Sequence, residues 1–205
     1  MPNLSVSSVS AASVRSPGAP PAGGTRDQIV RVARELIQTR SYLGFSFQDV
    51  ADQVGVRKAS LYHHFPTKEA LGVEVLREAT QGFRDWSVAK QRTPREWLEA
   101  YFRMYRHTLK AGSAVCPAGA LAPGWDCIND ELRDAVRELR SVQVLWLTGV
   151  LGALAPELKL SAPVDTVAGT VFAICQGALL SARMTGRTED FDAVVAQLKQ
   201  SLSIT

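Results

Sequence analysis

The chain has 205 residues, 46% apolar and 21% charged, with a net charge of +3 at pH 7. It can build a sizeable core, and its length suits one compact domain or a small domain fused to a larger one, which excludes a largely disordered polymer. Its three cysteines, Cys116, Cys127 and Cys175, are odd in number, widely spaced and follow no signal-peptide pattern, which argues against a disulfide-stapled secreted fold.

Residues 1–24 are rich in Ser, Pro, Ala and Gly, with Arg15 as the only charge, and are expected to form a flexible tail. A helix is predicted from about Arg26 to Arg40. Ile29, Ala33, Leu36 and Ile37 fall on one face, and Thr25 is the expected cap. Tyr42, Leu43 and Phe45 should cover the end of that small core, with Gly44 as a turn residue. A second helix is predicted from Ser46, a good N-cap, to about Gln53, with Phe47, Val50, Ala51 and Val54 inward. Gly55 can take the positive φ of a tight inter-helix turn. A third helix should run from near Arg57 to His63 or His64, held by Leu61, with His64 and Phe65 as packing residues. Pro66 stops it, and Thr67 caps a long connector reaching about Lys90.

Thr93, Pro94 and Glu96 form a capping box with proline at the first helical position. Leu98, Tyr101, Phe102, Tyr105 and Leu109 supply that helix's apolar face, and Gly112 should end it. Residues 113–127 are dense in Gly and Pro and read as a loop with at most one short helix. Another long helix is predicted from about Asp130 to Leu154, with Leu132, Val136, Leu139, Val142 and Leu145 or Trp146 inward. Its apolar run from Val142 is interrupted by Gln143, Thr148, Gly149 and Gly152 and is too short for a membrane span; a cytoplasmic protein with no membrane partner is expected. The helix over about 163–184 carries almost no charge and should be buried on most sides, with Gly169, Gly177 and Ala178 permitting close approach. Thr188 is the expected cap of a last helix bearing Phe191, Val194, Val195 and Leu198. The two terminal helices read as half of a four-helix dimer interface; a monomer core is the alternative.

The expected fold is therefore all-α: an N-terminal three-helix head over residues 25–71, joined by a long helix to a C-terminal helical domain over 72–205. Two short helices around a glycine turn are the arrangement that sets a helix into the major groove of DNA. Residues 1–92 carry 12 Lys or Arg against 8 Asp or Glu, and residues 93–205 carry 11 against 12, so the basic excess lies with the head, where phosphate contact needs it. Arg57 and Lys58 can donate to guanine or to phosphate, Ser60 can donate or accept, and the Ala59 methyl can meet a thymine methyl. Tyr62, His63, Lys68, Ser46 and Gln48 are placed for phosphate. Removing the Lys68 charge should weaken binding to every duplex and lower the salt slope by roughly one, whereas changing Lys58 should alter the preferred sequence. Units of this shape also occur inside enzymes and protein-binding domains.

Residues 26–71 resemble the TetR family of bacterial repressors. The resemblance is carried by Phe47-x-x-Val50-Ala51-x-x-Val54-Gly55-Val56 and, most specifically, by Leu61-Tyr62-His63-His64-Phe65-Pro66-x-Lys68-Glu69-Ala70-Leu71. It implies an all-helical homodimer with an N-terminal reading head and a C-terminal ligand-binding domain. It also implies backbone contacts at Tyr62 and Lys68 and base-reading positions at Arg57, Lys58, Ala59, Ser60 and His63. Arg57 stands where the family often has Ser or Thr.

In the C-terminal part, Phe83, Trp86, Trp97, Tyr101, Tyr105, Trp125, Trp146 and Phe172 can line an apolar pocket for a small ligand, or each can fill core. Cys116, in Ala114-Val115-Cys116-Pro117-Ala118-Gly119-Ala120-Leu121, is expected at the mouth of a loop or the start of a short helix; a helix start, with Lys110 close by, activates thiols. This stretch loosely resembles that of the electrophile- or acrylate-responsive branch of the family, which implies a sensor cysteine. Cys127 is a weaker candidate, and Cys175 reads as packing. Cys116, Cys127 and His107 match no compact zinc pattern, so neither metal nor other cofactor is expected. The combined expectation is a non-enzymatic repressor that binds a palindromic operator in double-stranded DNA as a homodimer and is released by a small apolar or thiol-reactive effector. The alternatives are an activator of the same fold, a thiol-based enzyme or a helical protein-interaction module.

Overall fold

The computed structural model describes residues 24–110, 114–160 and 162–204. The expected tail, apart from Gly24, and the expected stop at Gly112 lie outside the described residues, as does the side chain of Lys110. The described part is all-α: α1 (Thr25–Arg40), α2 (Phe47–Val54), α3 (Lys58–His64), α4 (Lys68–Val88), α5 (Pro94–Lys110), α6 (Pro117–Leu121), α7 (Asp130–Leu154), α8 (Val164–Thr185) and α9 (Thr188–Ser201). Single 3-10 segments cover Tyr42–Gly44 and Ala122–Cys127, so the Gly/Pro-rich stretch is more helical than expected.

α1, α2 and α3 form the head around Ile29, Val30, Ala33, Ile37, Val50, Ala51 and Leu61, all fully buried. α4 leaves the head and packs along α7, which in turn packs on α5 and α8, and α8 packs on α9. Head and body are stitched together. The Gln38 carbonyl accepts from the Val115 N–H at 3.1 Å, and Gln38 Nε2 donates to the Val115 carbonyl at 3.0 Å. Arg183 of α8 donates to the carbonyls of Gln38 and Thr39 at the end of α1, where helical carbonyls lack intrahelical partners.

Several expectations need correction. Gly24, not Thr25, is the N-cap of α1, its N–H donating to Asp27. Arg187, not Thr188, occupies the N-cap of α9; Thr188 is already helical. Leu43 is 55% exposed and Leu145 72% exposed, so Trp146 is the one of the Leu145–Trp146 pair that packs inward. His64 is exposed whereas Phe65 is buried. α8 is covered on one side only. Val167, Val171, Cys175 and Leu179 are buried, while Leu180 and Met184 are open, and a side chain at Gly169 or Gly177 would meet nothing within 4 Å. By length and composition α8 is apolar enough to cross a membrane; it packs against α5, α7 and α9.

Two helix starts depend on ionised carboxylates. Asp49 Oδ2 accepts from the Ser46 hydroxyl at 2.6 Å and the Ser46 N–H at 2.7 Å, while Ser46 Oγ accepts from the Asp49 N–H at 3.3 Å. Glu96 and Thr93 repeat this reciprocal box at α5. The Ser46 hydroxyl chiefly holds Asp49 below its ordinary value, and the Thr93 N–H chiefly does so for Glu96. Because the folded values are depressed, the boxes contribute fully above the ordinary carboxylate range and are lost as pH falls through the folded values. Acid titration of helicity by circular dichroism should therefore show loss beginning below about pH 4, with a smaller acid-side slope in Asp49→Asn and Glu96→Gln.

Candidate functional site

The exposed face of α3 is built by the turn between α2 and α3. Gly55 adopts φ 78°, ψ 31°, a left-handed conformation that a β-carbon disfavours. Its N–H and that of Val56 both return to the Ala51 carbonyl, at 2.9 and 3.0 Å, so α2 ends in one residue and α3 crosses it. Leu61, fully buried, anchors α3. Arg57, Lys58, Ala59, Tyr62 and His63 are consequently exposed together, with Ser60 half-buried beside Leu61. Arg57 is the N-cap of α3, makes no side-chain cap hydrogen bond and is exposed. Tyr62 is half-exposed, its ring edge-on to Phe47 at 5.2 Å, which fixes the ring without engaging the hydroxyl.

Three expected phosphate contacts are differently engaged. Ser46 caps α2, as described. Gln48 Nε2 donates to Asp52 at 2.7 Å. Lys68 turns inward: Nζ donates to the carbonyls of Tyr42 and Phe45 at 2.6 and 2.5 Å and lies over both rings at 4.4 and 4.2 Å. Burial pushes its ammonium below the ordinary lysine value, with Glu69 and Asp49 acting in the opposite direction. The structure thus shows Lys68 as the pin that closes the 42–45 segment against α4. Its reach to phosphate is limited to whatever the third N–H can make.

A cavity of about 360 Å³ opens between α1, α4, α5, α6 and α7. Of the expected pocket residues, Trp86, Tyr105 and Cys116 line it, together with Phe83. Tyr101 is fully buried behind Tyr105. Trp97 and Trp146 form an aromatic cluster on the far side of Trp86, with centroids 5.2 and 5.3 Å from it. Trp125 and Phe172 are elsewhere: Trp125 lies beneath Arg137, Phe172 beneath Arg140, and neither is among the residues lining the cavity. These five aromatics pack the frame and do not form the wall.

The wall has polar members that the sequence reading missed. Arg34 and Gln38 come from the head, Glu78 from α4, Thr108 from α5 and Gln143 from α7. Gln143 is 4% exposed; its Oε1 accepts from the hydroxyls of Tyr101 at 3.2 Å and Tyr105 at 3.0 Å, and Gln176 Nε2 donates to the Tyr105 hydroxyl at 3.2 Å. Burial drives both phenols well above their ordinary value, so they act as neutral donors. The missed signal was the register of α7: Leu132, Leu139, Gln143, Leu147 and Leu151 share the buried face, and a glutamine there must find partners inside.

Cys116 is buried at the N-cap of α6, Cys127 is exposed, and Cys175 is buried; burial pushes the Cys175 thiol up to about 12. Among the described residues no cluster of three His, Cys, Asp or Glu side chains could hold a metal ion.

Residues 29–75 match the model of the bacterial regulatory proteins, tetR family. The chain is 38% identical over 61 residues to the HTH-type transcriptional repressor KstR2 of Mycolicibacterium smegmatis, a match spanning 30% of this chain but only 28% of that protein. It is 26% identical over 191 residues to the HTH-type transcriptional repressor DhaR of Mycobacterium sp. (strain GP1), covering 86% and 91% of the two chains. Among solved structures, a TetR-family transcriptional regulator from Agrobacterium tumefaciens superposes with a TM-score of 0.81 at 28% identity, over 87% of this chain and 97% of that one.

Proposed function

We propose that the chain is a TetR-family, helix-turn-helix DNA-binding transcriptional regulator, a cytoplasmic repressor that binds a palindromic operator as a homodimer and leaves it when a small molecule enters the cavity. The observation that carries this reading is the α3 face. Lys58, Ala59, Tyr62 and His63 are exposed on a helix anchored from behind by Leu61, next to a turn that needs Gly55. Lys58 and Arg57 are the proposed base readers; Tyr62 and His63 are proposed for phosphate. The open face of α8, with Thr170, Ala173, Gly177, Leu180 and Met184, joined by Val194 of α9, supports a four-helix dimer contact that would set two α3 helices about 34 Å apart. The repressor names of KstR2 and DhaR support repression over activation.

Cys116, on the cavity wall, is proposed as the point where a thiol-reactive compound would act. Selection of duplexes from a random library with the purified protein tests the reading. A palindrome should be recovered, with the protein dimeric on it; no enrichment over random duplex would remove the proposed operator. A thiol-reactive reagent should release the recovered duplex from the parent but not from Cys116→Ser, and equal release from both would end the sensor role.

A further inference from the structure

We infer that the cavity takes a small organic acid with an apolar body, whose carboxylate replaces Glu78 as the partner of Arg34. This rests on reading the cavity as the effector site. It adds the ligand's chemical class and the route by which the ligand reaches the head.

The polar groups of the cavity are unevenly satisfied. Arg34 Nη2 meets Glu78 Oε2 at 2.5 Å, but Arg34 Nε is buried with no hydrogen-bond partner. Arg106 shows the same guanidinium edge filled: its Nε and Nη2 take both oxygens of Asp192, at 2.6 and 2.8 Å. A carboxylate matches that two-pronged edge, and at Arg34 only one prong is engaged. Gln143, at a second point on the wall, has its Oε1 taken by two tyrosine hydroxyls. The cavity therefore offers the open guanidinium edge of Arg34 in want of an acceptor.

The rest of the wall is apolar, with Phe83, Trp86, Met104 and Leu139. α4 has no side chain at Gly82, where a β-carbon would meet nothing within 4 Å. A ligand that supplies acceptors at one end and an apolar body behind them meets all of these conditions. An amine would leave the open edge of Arg34 without an acceptor and set a second cation beside it.

The position of the ion pair supplies the consequence. Arg34 belongs to α1 of the head and Glu78 to α4, and Arg26–Glu74, at 2.9 Å, is the second ion pair between these helices among the described residues. An acid that takes Arg34 removes the ion pair to α4 at the cavity end and leaves Arg26–Glu74 together with the Gln38 and Arg183 hydrogen bonds, which loosens α1 against α4 and lets it pivot. Because the acid and Glu78 compete for one guanidinium, the acid favours the pivoted state, and duplex that requires the tied state must weaken acid binding by the same factor.

The test is titration of the full chain's tryptophan fluorescence, Trp86 being on the wall, with phenylacetate, hexanoate, phenylacetamide and phenethylamine. The acids should bind saturably at millimolar concentration or below, about tenfold tighter than the amide or the amine. Glu78→Gln should bind the acids more tightly than the parent, because the competing carboxylate is gone. A merely structural glutamate would not produce that gain. Arg34→Gln should hold acid and amide alike, and Gly82→Leu, which fills the space over α4, should hold neither. Equal binding of acid and amide, preference for the amine, weaker acid binding by Glu78→Gln, or no saturable acid binding would each overturn the inference. These titrations need no DNA. A protein that binds the acids but enriches no duplex sinks the operator reading alone, and one that enriches a palindrome but ignores the acids sinks only this inference.

Discussion

Lys68→Ala should lose affinity for every duplex while keeping the parent's salt dependence. The ammonium donates to the Tyr42 and Phe45 carbonyls and sits over both rings. Removing it strands two carbonyls and unpins the segment that carries the chain from α1 into α2. Hydrogen bonds to a charged group contribute about 1.5–3 kcal/mol, and the ring contacts add to this, so the head should lose on the order of 2–3 kcal/mol of stability. The reading helix then docks from a partly disordered platform, which weakens specific and non-specific duplexes alike. The number of phosphates neutralised is unchanged, so the slope of log affinity against log salt should stay at the parent value. Affinity measured across a salt series separates the two roles: a slope lower by about one would place the ammonium on phosphate.

Tyr101→Ala should be the most destabilising single change in the body. Tyr101 is fully buried. Its ring meets Phe83 edge-on at 6.4 Å and stacks on Trp146 at 5.6 Å, and its hydroxyl donates to Gln143. Truncating a buried aromatic costs about 3–5 kcal/mol, which for a chain of this size lowers Tm by on the order of 10 °C. Trp146→Ala removes part of the same cluster, so the double variant should lose less than the sum of the singles. Well below the melting point, duplex binding by Tyr101→Ala should survive, because the α3 face is anchored by Leu61 in the head. Thermal unfolding and duplex affinity measured on the same preparation check both halves. Loss of duplex binding in a folded Tyr101→Ala protein would show that head and body do not separate in this way.

The head was legible because its devices are local. Ser46, Gly55, Pro66 and Thr67 each act within a few residues, and a cap or a left-handed glycine depends on its neighbours far more than on distant packing. The same locality explains why the box at Thr93–Glu96 and the span of α7 were read correctly. The caps assigned to Thr25 and Thr188 failed for a local reason as well: the preceding residue already held the extended conformation that an N-cap needs. The cavity was only half legible. Aromatic residues announce apolar volume, yet sequence does not distinguish a ring that lines a space from one that packs behind it. Trp86 and Trp146 lie on the two sides of that distinction, 5.3 Å apart. Arg34 and Glu78, 44 positions apart in the chain, carry no mark that they meet.

Residue order alone thus determined an all-helical chain with a glycine-turned three-helix head toward its N-terminal end, because helix periodicity, capping and positive φ are short-range properties. Tertiary structure decided which polar side chains face inward. It turned Lys68 from the outer surface to the carbonyls of Tyr42 and Phe45, closed Gln143 among two tyrosines, and brought Arg34 of the head to Glu78 of the connector. The physical reason is that a buried polar group is placed by the partners it must find, and those partners come from whichever helices the packing of the core brings alongside.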